Sequence, residues 1–186
     1  MKNLIIAFMI LLSANTTTVS AQRMLPKQKG IEVNVGLLNN NISDNYFINA
    51  GLIKHSKKGN YVIYSLEYSK NSIPYKTIDI PVENYTAEIG YSFNVIADRR
   101  KSLMFNVSFS ALGGYEDVNK GEQLLYDGAK LLNKSSMIYG GSGKLSIEMY
   151  LSDRIVLIAS GKTKWLWNTS LEKIRPSAGL GIRFNL

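Results

Sequence analysis

The chain contains no cysteine and only one histidine in 186 residues. The first absence excludes a disulfide framework, a thiolate nucleophile and a lipid-bearing cysteine after a leader peptide. The second leaves His55 without a Cys or His partner at metal-ligand spacing, so no zinc site and no histidine-based catalytic group is read from it. Set among Lys54, Lys57 and Lys58, His55 is expected to be a solvated turn residue. Long hydrophobic runs are missing too. A spanning helix needs about twenty apolar residues, and the longest stretch, Leu4 to Leu12, falls well short. No helical periodicity persists beyond two or three turns. The Gly140-Gly141-Ser142-Gly143 string lies within a strand pattern rather than opening a helix, so it reads as a bulge, bend or close-packing site, not a phosphate loop.

What is present begins with an export signal. Lys2 supplies a positive charge, Leu4 to Leu12 an apolar run, and Val19-Ser20-Ala21 a small-residue cleavage site, so residues 1–21 are expected to be removed as a signal peptide. The mature chain, 22–186, is then a single domain by length. Its formal charge falls from +8 to +7 with the loss of Lys2. A hydrophobic content of 45% and a mean hydropathy of -0.06 are ordinary for a globular chain. They are also compatible with a transmembrane barrel, whose apolar face occupies only alternate positions.

Alternation of that kind recurs eight times. Ile31, Val33, Val35 and Leu37 oppose Glu32, Asn34 and Gly36; Ile48, Ala50 and Leu52 oppose Asn49 and Gly51; Val62, Tyr64, Leu66 and Tyr68 oppose Ser65, Glu67 and Ser69. The fourth stretch, Ala87 to Val95 against Thr86 to Asn94, is the clearest, and Leu103 to Ala111 repeats it before continuing through Gly113-Gly114-Tyr115. Leu145 to Leu151 face away from Lys144, Ser146, Glu148 and Tyr150. In Ile155 to Trp167, Lys162 and Lys164 are taken as inward, and in the last stretch Ala178 to Leu186 oppose Ser177 to Asn185. Each has the two faces a half-apolar strand requires.

The connections alternate in length. Ser56 to Gly59, Ala97 to Arg100 and Ser152-Asp153 are short; Asn39 to Asn45, Lys70 to Glu83, Val118 to Met137 and Asn168 to Ile174 are longer and fall between them. Short periplasmic turns, long extracellular loops and periplasmic mature termini follow. The expected fold is all-β: an eight-stranded antiparallel up-and-down transmembrane β-barrel. Closure is compulsory, because each unpaired backbone group in lipid costs several kcal/mol.

An eight-stranded barrel is just wide enough to be filled by side chains. The inward Glu32, Glu67, Glu88 and Glu148 are therefore expected to pair with Lys144, Lys162, Lys164 and Arg183 as a luminal polar network. A diffusion pore is not expected. Tyr64, Tyr68, Tyr91, Phe93, Trp165, Trp167 and Phe184 fall on outward faces, where they suit interfacial belts as well as packing.

Three features could carry function. Glu88 and Glu148 could act as a general acid and base if they met across the lumen. The 118–137 loop holds Leu124, Leu125, Tyr126, Leu131 and Leu132, which could contact a partner or fold back onto the barrel mouth. The basic, proline-containing arm Gln22 to Lys29 could dock onto another envelope component. The basic turns at Lys57-Lys58 and Arg99-Arg100-Lys101 lack the interleaved aromatics of a single-strand groove, so direct nucleic-acid binding is not expected. Lipid headgroups or acidic partners fit them equally.

The strings Gln22 to Gly30, Tyr85-Thr86-Ala87-Glu88 with Gly90-Tyr91-Ser92-Phe93, Leu125 to Lys130 and Arg175-Pro176-Ser177-Ala178-Gly179 resemble the TraO family of conjugal transfer proteins of Bacteroides-type conjugative transposons. The resemblance runs over the mature chain. It implies a part in conjugal DNA transfer as an envelope component of the mating apparatus, with other apparatus proteins and outer-membrane lipid as partners. It brings no catalytic motif, cofactor, metal or small-molecule substrate. The general barrel pattern ends on an aromatic residue, whereas this chain ends Arg183-Phe184-Asn185-Leu186, so Phe184 would take that place. Two other readings remain open: an outer-membrane enzyme using luminal carboxylates, and a soluble periplasmic barrel holding a small apolar ligand.

Overall fold

A computed structural model describes residues 27–38, 45–76, 78–122, 129–131 and 135–186. Its eight strands are β1 (Lys29–Leu38), β2 (Tyr46–His55), β3 (Tyr61–Tyr75), β4 (Ile78–Ala97), β5 (Leu103–Val118), β6 (Ser136–Tyr150), β7 (Ile155–Trp167) and β8 (Ile174–Asn185). Each pairs antiparallel with its sequence neighbour, and β1 pairs with β8 from Gly30↔Asn185 to Leu38↔Ser177, closing the barrel. The seam leaves no sheet edge, which is what hydrocarbon demands of a strand-built wall. Among the described residues no helix is long and apolar enough to cross a membrane.

Period-two alternation sorts the side chains. Outward Leu66, Leu180, Phe109 and Leu52 are 60–68% exposed, whereas inward Arg183, Glu148 and Glu116 are fully buried. This inverts a soluble protein, with apolar groups outside and ionic groups within, as a barrel in lipid requires. One girdle of outward aromatics is contiguous: Tyr46 and Tyr68 lie 6.1 Å apart, Tyr68 and Tyr85 5.3 Å, and Tyr85 is in register with Tyr115. Tyr139 stacks on Trp167 at 6.0 Å farther round. Tyr91 and Phe93 pack edge to face toward the opposite end. From Tyr85 to Val95 the outward positions of β4 are apolar, a length that crosses the hydrocarbon at a strand tilt of about 45°.

The two ends differ. The lower end carries the turns β2–β3, β4–β5 and β6–β7, together with Lys27 and Leu186. The upper end carries the longer connections, but the expected 70–83 loop is corrected. There β3 and β4 continue as a hairpin, paired from Lys70↔Glu83 to Tyr75↔Ile78. Pro74 and Pro81 disguised these positions as loop, since proline removes a ladder donor. The alternation Ile73, Tyr75 and Ile78, Ile80, Val82 nonetheless runs through them, and these inward groups meet Val118 and Leu171 at the mouth. Strand β5 also runs on to Val118, and β6 starts at Ser136.

One glycine pair sets a local shape. Gly36 and Gly179 are register partners facing inward, and the Phe47 ring lies over both; a Cβ on Gly36 would come within 2.6 Å of Phe47 Cε1 and 2.2 Å of the Ala178 carbonyl oxygen. Only glycine leaves room for that ring.

Lipid contact on the outer wall leads to a depth-dependent cost. Ile89→Arg, midway along the apolar band, should lower folding stability in lipid vesicles by about 2–4 kcal/mol, and Val95→Arg near the lower edge by about 0–1 kcal/mol. Urea titration of vesicle-folded protein measures both, and equal small effects would contradict lipid contact along this wall.

Candidate functional site

The lumen holds three layers of paired charge. In the lowest, Arg183 on β8 reaches Glu32 on β1 through Nε at 2.9 Å and Nη2 at 2.7 Å, and Glu148 on β6 through Nη1 and Nη2, each at 2.8 Å. Lys144 adds a second cation to Glu32 at 3.1 Å, and Asn34 donates to the same carboxylate at 2.8 Å. Tyr61 donates its hydroxyl to Glu148, and its ring lies 4.4 Å from the Arg183 guanidinium carbon. Arginine suits this place because its planar fork serves two carboxylates at once and still offers a face to an aromatic ring.

The middle layer joins Glu67 and Glu88 to Lys162 and Lys164. Lys162 lies 2.5 Å from Glu67 and 2.9 Å from Glu88; Lys164 lies 2.5 Å and 3.4 Å from the same two. Thr86 accepts from Lys164 at 3.3 Å, and Asn49 donates to Glu67 at 3.4 Å. Both layers are electrically balanced, two carboxylates against two cations each. Between them, Glu32, Lys144, Glu67, Glu88 and Lys162 line a cavity of about 30 Å³. That is room for about two waters.

The upper layer was not among the sequence-selected residues. Glu116 on β5, fully buried, accepts from Arg175 at 2.8 Å, from the Thr169 hydroxyl at 2.8 Å and from the Ser170 backbone N–H at 2.5 Å. Arg175 also donates to Thr169. The Asn84 amide, turned to suit these partners, donates to Glu116 at 2.9 Å and accepts from Arg175 at 3.2 Å. Above this layer Ile80, Val82 and Val118 form an apolar lid, joined by Ala129, Leu131 and Leu171. The β7–β8 connection is thus tied down over the lumen by the Thr169 and Ser170 hydrogen bonds to Glu116 and by the apolar contact of Leu171.

The eight inward residues selected from sequence thus fall into two groups rather than one continuous chain. Glu88 and Glu148 belong to different groups and share no cation, so the structure does not assemble them as an acid–base pair. Leu131 packs against the lid, whereas Leu124, Leu125, Tyr126 and Leu132 lie outside the described residues. So do residues 1–21, expected from the sequence to be a signal peptide. His55 is a correction. It is 2% exposed, faces the lumen and meets Tyr61 edge on at 5.6 Å, and among the described residues neither ring nitrogen has a hydrogen-bond partner. Its parity with Asn49, Gly51 and Ile53 overrides the basic neighbourhood that suggested a solvated turn. Parity was also the available signal for Glu116, in step with Asn106 and Ser108, and for Arg175, in step with Ser177 and Arg183. Among the described residues no cluster of three His, Asp or Glu could hold a metal.

Removing one partner from a buried network costs more than removing the network, because the orphaned charges stay desolvated. Arg183→Met should therefore cost about 3–5 kcal/mol. Adding Glu148→Gln to it, which leaves Glu32 paired with Lys144, should restore most of that loss in the same vesicle-folding assay, whereas an additive further loss would contradict the paired layer.

Two solved structures place this fold among known barrels. Ail, the attachment invasion locus protein of Yersinia pestis, matches at a TM-score of 0.56 and 10% identity, covering 87% of this chain and 100% of that one. The backbone structure of Ail in a phospholipid bilayer nanodisc matches at 0.50 and 15% identity, covering 86% and 99%. At such identities the likeness concerns architecture alone. No curated protein matches the chain. Among models of protein families, the one described as conjugative transposon protein TraO matches residues 25–186, every strand of the barrel included. The chain belongs to the TraO family of conjugative transposon proteins.

Proposed function

We propose that this protein is a non-catalytic assembly part of the conjugative apparatus, exported through cleavage of residues 1–21 and seated in the outer membrane with its lower end in the periplasm. The filled lumen is the observation that carries this reading. Three neutral charge layers and an apolar lid occupy the path along the axis. Among the described residues these layers leave no route through the barrel for DNA, and the carboxylates are held by cations instead of facing a cleft. What remains available for work is surface: the upper hairpin and loops, the lower turns and the 22–29 arm. Other envelope proteins of the apparatus are the partners such surfaces serve.

Two alternatives fit less well. An enzyme using Glu88 and Glu148 would need them to share a substrate, and separate cations hold them. A soluble ligand-binding barrel would need an apolar interior, whereas this one is ionic within and apolar outside.

Conjugative transfer separates the readings. With Leu124, Leu125 and Tyr126 all replaced by serine, the barrel should still reach the outer membrane folded. Transfer frequency should fall about tenfold or more, as expected when contact anchors worth 2 kcal/mol or so are lost. Glu88→Gln with Glu148→Gln should leave transfer unchanged wherever the barrel assembles. Loss of transfer in that second variant with a normal barrel would favour catalysis, and normal transfer in the first would remove the loop from the mechanism.

A further inference from the structure

The net charge of the barrel is concentrated at one end. The luminal layers are neutral, and the upper end, among the described residues, balances five lysines against five carboxylates. Among the described residues, nine cationic side chains at the lower end are set against two acidic ones, Asp98 and Asp153. The β2–β3 turn carries Lys57 and Lys58, the β4–β5 turn three consecutive cations from Arg99, and the β6–β7 turn Arg154. Lys27, Lys29 and Lys54 complete the rim, and all nine side chains are exposed.

Two of these cations do not point down from a turn. Lys29 and Lys54 are direct register partners on β1 and β2, and they share the outward parity of the pair above them, Ile31 and Leu52. Both emerge sideways from the wall at the lower margin of its apolar band. Ile31, Leu52, Phe184 and Leu186, all exposed, surround them; Phe184 is the register partner of Ile31, and the Leu186 N–H bonds the Lys29 carbonyl at 2.8 Å. Like charges directly opposite on one sheet face repel, and no carboxylate among the described residues forms an ion pair with either lysine.

We infer that the Lys29–Lys54 pair is a binding site on the barrel wall for the phosphate of an anionic phospholipid in the inner leaflet of the outer membrane. The inference rests on the proposed orientation, with the lower end periplasmic. A phosphate between the two ammonium groups relieves their repulsion, while the acyl chains lie along Ile31, Leu52 and Phe184. An acidic protein approaching from the periplasm would meet the turn tips first, whereas the sideways pair above an apolar skirt has the two-part chemistry of a lipid. The surrounding rim adds attraction that decays within a Debye length.

Native mass spectrometry of the purified mature protein, released from mixed micelles of phosphatidylglycerol and phosphatidylcholine, tests the site. The unaltered barrel should retain phosphatidylglycerol in preference. Lys29→Gln with Lys54→Gln should reduce that preference by about fivefold for each lysine, following about 1 kcal/mol per basic residue at an anionic surface. Lys120→Gln with Lys173→Gln at the upper end should leave it unchanged. No preference in the unaltered barrel, or one that survives loss of both wall lysines, overturns the inference. So does a preference that disappears only when Arg99, Arg100 and Lys101 are replaced by glutamine, which would assign the lipid contact to the turn tips instead of the wall. Each sample is run unboiled and boiled on a gel. An unaltered protein that shows no heat-modifiable folded form counts against the barrel reading itself, whereas a folded barrel without lipid preference counts against this site alone.

Discussion

Everything in this structure depends on one closed ring of backbone hydrogen bonds. The β1–β8 seam converts eight half-apolar strands into a wall with no free edge, and in hydrocarbon that closure is the only way to satisfy the strand amides and carbonyls. With eight strands the bore is narrow enough for opposite walls to touch through their side chains. Residues far apart in sequence therefore become direct partners, as with Lys162 on β7 and Glu67 on β3, or Lys144 on β6 and Glu32 on β1. The charged lumen is thus a consequence of closure. Ionic groups excluded from the lipid face have only one another to neutralise them.

The same constraint explains why the barrel is plugged from within its own wall. Arg183 serves two carboxylates and one aromatic ring, so β8, β1, β6 and β3 are tied together at one level. Arg175 and Glu116 repeat the arrangement at the mouth and bring the β7–β8 connection down onto the lid. A barrel filled in this way leaves its surfaces for the contacts proposed above. At the upper end the paired hairpin of β3 and β4 is one such surface.

Much of this was legible in the residue order, because period two is a direct print of the wall. The eight strands and the inward parity of Glu32, Glu67, Glu88 and Glu148 follow from alternation alone. Pairing did not follow, since it depends on the stagger between strands, which determines that Lys164 meets Glu67 and Thr86 while Arg183 meets Glu148. Prolines 74 and 81 hid the upper hairpin, and with it the lid. His55 and Tyr61 were misjudged or missed because they sit at strand ends, where turn composition competes with parity. Glu116 and Arg175 were overlooked for the same reason at the other end. The TraO resemblance came from short idiosyncratic strings, which periodicity could not supply.

The central claim is a closed, folded barrel resident in the outer membrane. Its most direct test is membrane fractionation of the tagged mature protein followed by gel electrophoresis with and without boiling. The account requires recovery in the outer-membrane fraction, with an unboiled species that migrates differently from the boiled one. Recovery as a soluble periplasmic protein with identical mobility in both lanes would contradict it.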